Sequence, residues 1–215
     1  MDKTENAANT EAVKNEPNES VNQESTGPSA GKKSGPRIQG RTMMVAKMAM
    51  MVAISVVFAF IHFPILPAAP FLEYEASNIP ILIGTFAFGP LGGFIITALT
   101  ILLHDMMVGP SSGIYGALMH LIATGTLALV AGLVYRGHKT RKRAIIALIA
   151  GILSVVAIMI PANYIITPLF LDMPTQTVTA MLLPAIIPFN LLSGVITAVV
   201  TFLVYKLVSP FLHKR

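Results

Sequence analysis

Two histidines and a carboxylate, His104, Asp105 and His120, lie within otherwise apolar stretches of the sequence. Imidazole and carboxylate groups are metal ligands, and ionisable side chains within apolar helices usually belong to functional sites. A helical pair such as H-E-x-x-H is missing, which disfavours a catalytic metal. Three interpretations stay open: an intramembrane metal site, a contact between His120 and a bound solute, or a histidine whose polar atoms are satisfied between helices.

Two amides in apolar segments, Asn163 and Asn190, each stand two residues after a proline. An amide facing lipid without a partner is costly, so both side chains should face the protein interior or a cavity. Proline has no N–H, so a backbone carbonyl in the preceding turn lacks its helical hydrogen bond. A nearby amide side chain could donate a hydrogen bond to that carbonyl. The alternative is a solute site near the ends of the last two apolar segments.

A proline-rich stretch at 63–77 separates the first two apolar segments. Its prolines at 64, 67 and 70 prevent a helix. Its side chains include Phe71, Leu72 and Tyr74, which are more apolar than a simple connector requires. We predict a structured loop that acts as a lid over a site, and a plain connector is the alternative.

Small residues four apart, Ala49 and Ala53, occur in the first apolar segment. This spacing lets another helix approach closely. The partner helix could belong to the same chain or to a separate membrane protein.

The elements that must position these side chains are membrane helices. The chain of 215 residues is 54% hydrophobic and only 12% charged, and it has no cysteine. Because about 20 apolar residues cross a bilayer, we predict an all-α integral membrane protein with six transmembrane helices. The predicted helices cover residues 43–62, 78–89, 91–108, 114–135, 144–170 and 181–208.

The charges predict how these helices are oriented. Basic residues flank the first helix, fill the loop 136–143 and end the chain, whereas acidic residues occupy the alternate loops. Since Lys and Arg favour the cytoplasmic side, both termini of the membrane domain 43–215 should be cytoplasmic. Membrane insertion explains the basic residues, so we expect no nucleic-acid partner. The polar segment 1–42 should be a disordered cytoplasmic tail.

Several functions lack their motifs in this sequence. There is no nucleotide-binding loop, no hydrolase triad order and no Lys or Arg in the interior of the predicted spans, since Lys47 and Lys206 lie near span ends. The remaining alternatives are a passive channel, a receptor-like binder or one subunit of a larger pump, and we predict no enzymatic activity and no cofactor.

Four segments together resemble a known family. They are FLEYEASNIP at 71–80, FGPLGG at 88–93, ANYIITPLF at 162–170 and IIPFNLLSG at 186–194. They are similar to the S components of energy-coupling factor transporters, and most similar to the riboflavin-specific branch. The resemblance implies a six-helix protein of the plasma membrane that captures a vitamin from outside.

The resemblance also implies partners and site residues. The partners would be a membrane coupling subunit and two cytoplasmic ATPases, with Ala49 and Ala53 contacting the coupling subunit. The loop 63–77 would gate the site. The implied vitamin contacts, with riboflavin favoured, are Tyr74, Asn78, His120, Asn163, Thr167 and Asn190.

The chain departs from the riboflavin-type pattern at three places. That pattern carries Lys-Asn where this chain has Thr100-Ile101, Asn where it has His120, and Asp where it has Asn78. A flavin site needs a flat apolar pocket with a few polar groups at one edge. Because the departures lie at expected contact positions, another small vitamin or heterocycle is the alternative ligand.

Overall fold

The computed structural model describes the backbone of residues 37–67, 69–108 and 113–212. These residues form seven α-helices and one two-stranded antiparallel sheet. The elements in chain order are α1 Arg37–Ala59, β1 His62–Pro64, β2 Glu73–Glu75, α2 Asn78–Phe88, α3 Pro90–Val108, α4 Gly113–Arg136, α5 Arg141–Leu171, α6 Thr175–Met181, a π-helical segment Leu182–Ile186, and α7 Ile187–Leu212.

Five stretches of the described chain are long and apolar enough to cross a membrane. They are Gly40–Ala59, Pro90–Val108, Gly113–Arg136, Arg141–Leu171 and Thr175–Val204. The helix α2 has 11 residues, which span about 16 Å at 1.5 Å per residue. That length is about half of a hydrocarbon core, so α2 is not counted among the five.

The short helix α2 lies alongside α4. At its start, Asn78 accepts a hydrogen bond of 2.7 Å from Thr124. Near its end, the Phe86 ring packs 4.5 Å from the ring of Tyr135, the residue before the basic loop 136–143. Eight of its residues are buried, from Ile79 to Phe86. The helix therefore carries the chain from the middle of α4 to its basic end without facing lipid over most of its length.

The core lies where α4 and α5 pack against α2. Small side chains let α4 and α5 approach closely: a Cβ added at Gly151 would lie 2.8 Å from Leu127 Cδ1. Ala131, Ala144 and Ala147 are fully buried in the same cluster. Large apolar side chains such as those at 91, 133, 153 and 199 remain exposed on the outer faces, which is the distribution expected of helices surrounded by lipid.

The structure corrects several predicted boundaries. Helix α1 begins at Arg37, so residues 37–42 are helical rather than part of a disordered tail, while residues 1–36 lie outside the described residues. The polar stretch predicted as a loop at 172–179 becomes helical at Thr175, directly after Pro174 at the N-cap. The chain then continues through a π-helical turn into α7, because the wider turn accommodates Pro184, which has no N–H to donate.

The predicted loop 63–77 contains a β-hairpin. β1 pairs with β2 in the register His62 with Glu75, Phe63 with Tyr74, and Pro64 with Glu73. Pro64 is tolerated because it stands at the end of a short strand. Helix α5 continues through both Pro161 and Pro168 as one helix.

Candidate solute-binding site

A cavity of about 240 Å³ lies between the β-hairpin and five helices. Its walls come from the segment 71–75, the start of α2, the end of α3, the first half of α4, the second half of α5 and the first half of α7. Every wall therefore comes from the end of the helices opposite to the basic loop 136–143.

The hairpin contributes alternate side chains to this cavity. Glu73 and Glu75 line it, whereas Tyr74 between them does not. Successive residues of a strand point to opposite faces, and Tyr74 packs instead against Ala76, Ile79 and Ile83 with 3% of its surface exposed. Tyr74, predicted as a solute contact, therefore lies behind the cavity and packs the hairpin against the helices.

Glu75 and His120 meet inside the cavity wall. Glu75 Oε2 lies 3.1 Å from His120 Nδ1, and the two side chains are only 20% and 21% exposed. Glu75 also accepts a hydrogen bond from the Ser77 hydroxyl. The other ring nitrogen, His120 Nε2, is buried without a hydrogen-bond partner. This nitrogen is therefore available to a group bound in the cavity.

Two asparagines of the cavity differ in how much of their hydrogen-bonding capacity the protein uses. Asn163 Nδ2 donates to Met159 O at 2.8 Å, and Asn163 Oδ1 accepts from Thr167 at 2.9 Å. Asn190 Nδ2 likewise donates to Ile186 O at 2.8 Å. No donor within the described chain reaches Asn190 Oδ1, so this oxygen is the acceptor that remains for a ligand.

Aromatic and apolar side chains supply the rest of the lining. Phe71 comes from the hairpin segment, Tyr115 from α4, Phe170 from α5 and Phe189 from α7. Aromatic faces and edges bind planar rings favourably. A cavity with several aromatic walls and a few polar atoms is typical of a site for a small organic ligand.

The electrostatic character of the cavity is acidic. Glu73, Glu75 and Asp105 line it, and no Lys or Arg does so among the described residues. The sequence contains no Lys or Arg between Lys47 and Arg136, nor between Arg143 and Lys206. A negatively charged ligand would therefore meet carboxylates without a permanent positive charge nearby.

The histidines do not combine into a metal site. In the part of the chain that the structure describes, no three His, Cys, Asp or Glu side chains are placed to share an ion. His104 Nδ1 pairs with Asp105 at 3.4 Å, and its ring packs edge-on against Phe60 at 5.4 Å. His120 pairs with Glu75 instead.

Five of the six predicted vitamin contacts line this single cavity: Asn78, His120, Asn163, Thr167 and Asn190. Sequence reasoning missed Glu75, Thr124 and the aromatic residues. The hairpin register brings Glu75 to the site and the pairing of α2 with α4 brings Thr124, and neither is a local signal in the sequence. Ala49 and Ala53 do not line the cavity. Both are exposed on α1.

Comparisons with known proteins show the family of this chain. A family model for the substrate-specific component of ECF transporters matches residues 43–205. The riboflavin transporter RibU of Staphylococcus aureus is 28% identical over 172 residues, covering 77% of this chain and 89% of that protein. The riboflavin transporter FmnP of Bacillus subtilis is 24% identical over 174 residues, with coverages of 77% and 92%.

A solved structure has the same fold. It is the S component of a bacterial ECF transporter, with a TM-score of 0.71 and 27% sequence identity. The match covers 81% of this chain and 99% of the solved chain.

Proposed function

This chain belongs to the family of substrate-specific components of ECF transporters, and from that premise we propose that it captures riboflavin for import across the plasma membrane. The family and the similar proteins are transport proteins, so the chain is not an enzyme. The observation that carries the proposal is the cavity, in which aromatic side chains converge with the unpartnered His120 Nε2 and the side chain of Asn190.

This lining suits a planar, polar-edged ring system. Phe71, Phe170 and Phe189 offer apolar contact, while His120 Nε2 and Asn190 Oδ1 offer hydrogen bonds to one edge. Specific small-molecule sites combine these two features. The isoalloxazine ring of riboflavin has two broad faces and a pyrimidine edge with donors and acceptors.

A different small vitamin is the second candidate. Ile101 lines the cavity where the riboflavin-type pattern has an amide, and the neighbouring Thr100 has a buried hydroxyl without a partner. An apolar group at this position changes which polar atoms of a ligand can be satisfied.

We also propose a topology of six crossings with both termini in the cytoplasm. The route of α2 supports this count, since Phe86 packs on Tyr135 at the basic end of α4. With α2 as a crossing, the start of α1, the loop 136–143 and the end of α7 all lie on one side. Their Lys and Arg residues then obey the positive-inside bias, and the cavity opens towards the outside.

The proposed partners are a membrane coupling subunit and two cytoplasmic ATPases. Ala49 and Ala53 on the exposed face of α1 provide a surface that another helix can approach closely. The coupling subunit would dock there, on a helix that does not line the cavity.

Two measurements test the ligand. Purified protein titrated with riboflavin should quench flavin fluorescence with one site per chain, and mass spectrometry of the purified protein should identify a copurifying flavin. Absence of both quenching and flavin would overturn the riboflavin proposal. A different copurifying heterocycle would support the second candidate.

A further inference from the structure

We infer that Glu75 is a positioning residue for ligand recognition, which holds the ring of His120 so that its Nε2 atom accepts a hydrogen bond from the vitamin. The inference rests on the proposed function. It assigns two roles. His120 on α4 contacts the ligand, and Glu75 on the hairpin sets the tautomer of the His120 ring.

The first step of the argument concerns the proton on the ring. Glu75 Oε2 lies 3.1 Å from His120 Nδ1. An ionised carboxylate can only accept hydrogen bonds, so a hydrogen on the ring nitrogen beside it is favoured over a lone pair that would face a carboxylate oxygen. In the neutral imidazole the proton on Nδ1 leaves Nε2 as an acceptor.

The second step concerns the free nitrogen. His120 Nε2 is buried, has no partner within the described chain, and belongs to a residue that lines the cavity. A buried polar atom without a partner costs free energy until one is supplied. A ligand with an N–H or O–H donor, such as the imide N–H of a flavin, supplies that partner.

The third step concerns why Glu75 keeps its position. Its carboxylate accepts a hydrogen bond from the Ser77 hydroxyl, and the neighbouring Tyr74 anchors the strand from the opposite face. An outer carboxylate that fixes a histidine tautomer is a recurrent arrangement behind binding histidines. Here the arrangement also makes ligand recognition depend on the position of the hairpin.

The adjacent acid does not share the contact with His120. Glu73 lies on the same strand and also lines the cavity, but its nearest histidine is His62 at 3.9 Å, with both side chains more than 40% exposed. The segment thus contains two carboxylates of the same chemistry, only one of which faces His120.

A double-mutant cycle with riboflavin titration tests the inference. Glu75→Met should weaken riboflavin binding by about tenfold in the wild-type background, the usual effect of losing one well-placed polar contact. In a His120→Phe background the same change should alter affinity by less than about twofold. Asp172→Asn is the control and should stay within about twofold in both backgrounds, since Asp172 is exposed and does not line the cavity.

A full effect of Glu75→Met in the His120→Phe background would overturn the inference, because Glu75 would then act independently of His120, through the ligand itself or through the hairpin. Riboflavin binding by the wild-type protein tests the proposed function separately.

A ligand-free measurement tests the tautomer directly. Nitrogen-15 NMR of labelled histidine, with the His120 signals identified from His120→Phe, should show a protonated Nδ1 and an unprotonated Nε2. In Glu75→Met this pattern should be lost. A protonated Nε2 in the neutral wild-type ring would contradict the inference whatever the ligand is.

Discussion

Thr197 Oγ1 donates a hydrogen bond of 3.4 Å to the hydroxyl of Tyr74, and this contact joins the β-hairpin to α7. Both side chains are buried, at 1% and 3% exposure. Thr197 lines the cavity while Tyr74 does not. The hairpin is therefore held against the helices through a side chain that lies behind the binding site.

This relationship predicts that Tyr74 can lose its hydroxyl without losing the ligand. Tyr74→Phe should keep riboflavin affinity within about threefold, because one long hydrogen bond contributes only ~1 kcal/mol. Tyr74→Ala should lower the free energy of unfolding by about 3 kcal/mol or more, the usual cost of removing a buried aromatic ring. Fluorescence titration and thermal unfolding check the two variants, and a tenfold affinity loss in Tyr74→Phe would instead make Tyr74 a ligand contact.

The difference between Tyr74 and Glu75 also shows which features of the site could not be predicted from the sequence. The apolar segments, their approximate bounds and five cavity residues could be predicted, because hydropathy and isolated polar groups in apolar helices are local signals. The hairpin was not predicted, since its prolines indicated a loop. Without the strand there was no alternation to assign Tyr74 to one face and Glu75 to the other.

Contacts between residues that are distant in sequence could not be predicted either. His120 was singled out as a possible contact, but the carboxylate beside it comes from a different element. Asn163 and Asn190 looked equivalent in sequence, each two residues after a proline. Only the position of Thr167 relative to Asn163 separates an amide used by the protein from one with a free oxygen.

That separation predicts different phenotypes for the two amides. Asn190→Leu should weaken riboflavin binding by about tenfold or more, since a polar ligand atom would face an apolar side chain. Asn163→Leu should mainly lower thermal stability, because it removes two hydrogen bonds made within α5. Titration and thermal unfolding of both variants check this, and the reverse pattern would refute it.

The acidic lining predicts discrimination by charge. The phosphate monoester of riboflavin carries about −1.5 to −2 charges at pH 7, and a charge pair 8 Å apart at an effective dielectric of about 20 contributes ~2 kcal/mol. The ester should therefore bind at least ~10-fold more weakly than riboflavin. Competition titration measures the ratio of the affinities for riboflavin and for the ester, and this ratio should decrease at high salt.

The carboxylates responsible for this discrimination are testable in a matched pair of variants. The double variant Glu73→Gln with Asp105→Asn removes two negative charges from the cavity lining. It should therefore lower the ratio of the affinity for riboflavin to the affinity for its phosphate ester. Asp172→Asn should leave it unchanged, since Asp172 is exposed outside the cavity and its left-handed backbone suits Asn. Equal affinity of the wild-type protein for the two ligands would contradict the prediction.

The close approach of α3 and α4 predicts that replacing a glycine between them with alanine destabilises the protein. Gly→Ala within a helix normally stabilises by about 1 kcal/mol. At Gly132, however, the new Cβ would lie 2.6 Å from Pro90 Cα, which is backbone and cannot rotate away. Overpacking of this kind costs about 1–3 kcal/mol, so Gly132→Ala should lower the midpoint of thermal unfolding. Gly137→Ala is the control, with open space around the new Cβ, and a rise in the midpoint for Gly132→Ala would contradict the packing seen here.

The exposed face of α1 predicts a variant that separates capture from transport. Ala49 and Ala53 are exposed on a helix that contributes nothing to the cavity lining among the described residues. Ala49→Leu should leave riboflavin affinity within about twofold. In whole cells it should reduce uptake on the order of tenfold, because a bulky residue keeps a partner helix from close approach. Ala157→Leu is the matched control, since Ala157 is an exposed alanine on α5, and it should affect neither property. A loss of riboflavin binding in Ala49→Leu, or equal loss of uptake in both variants, would remove α1 as the docking surface.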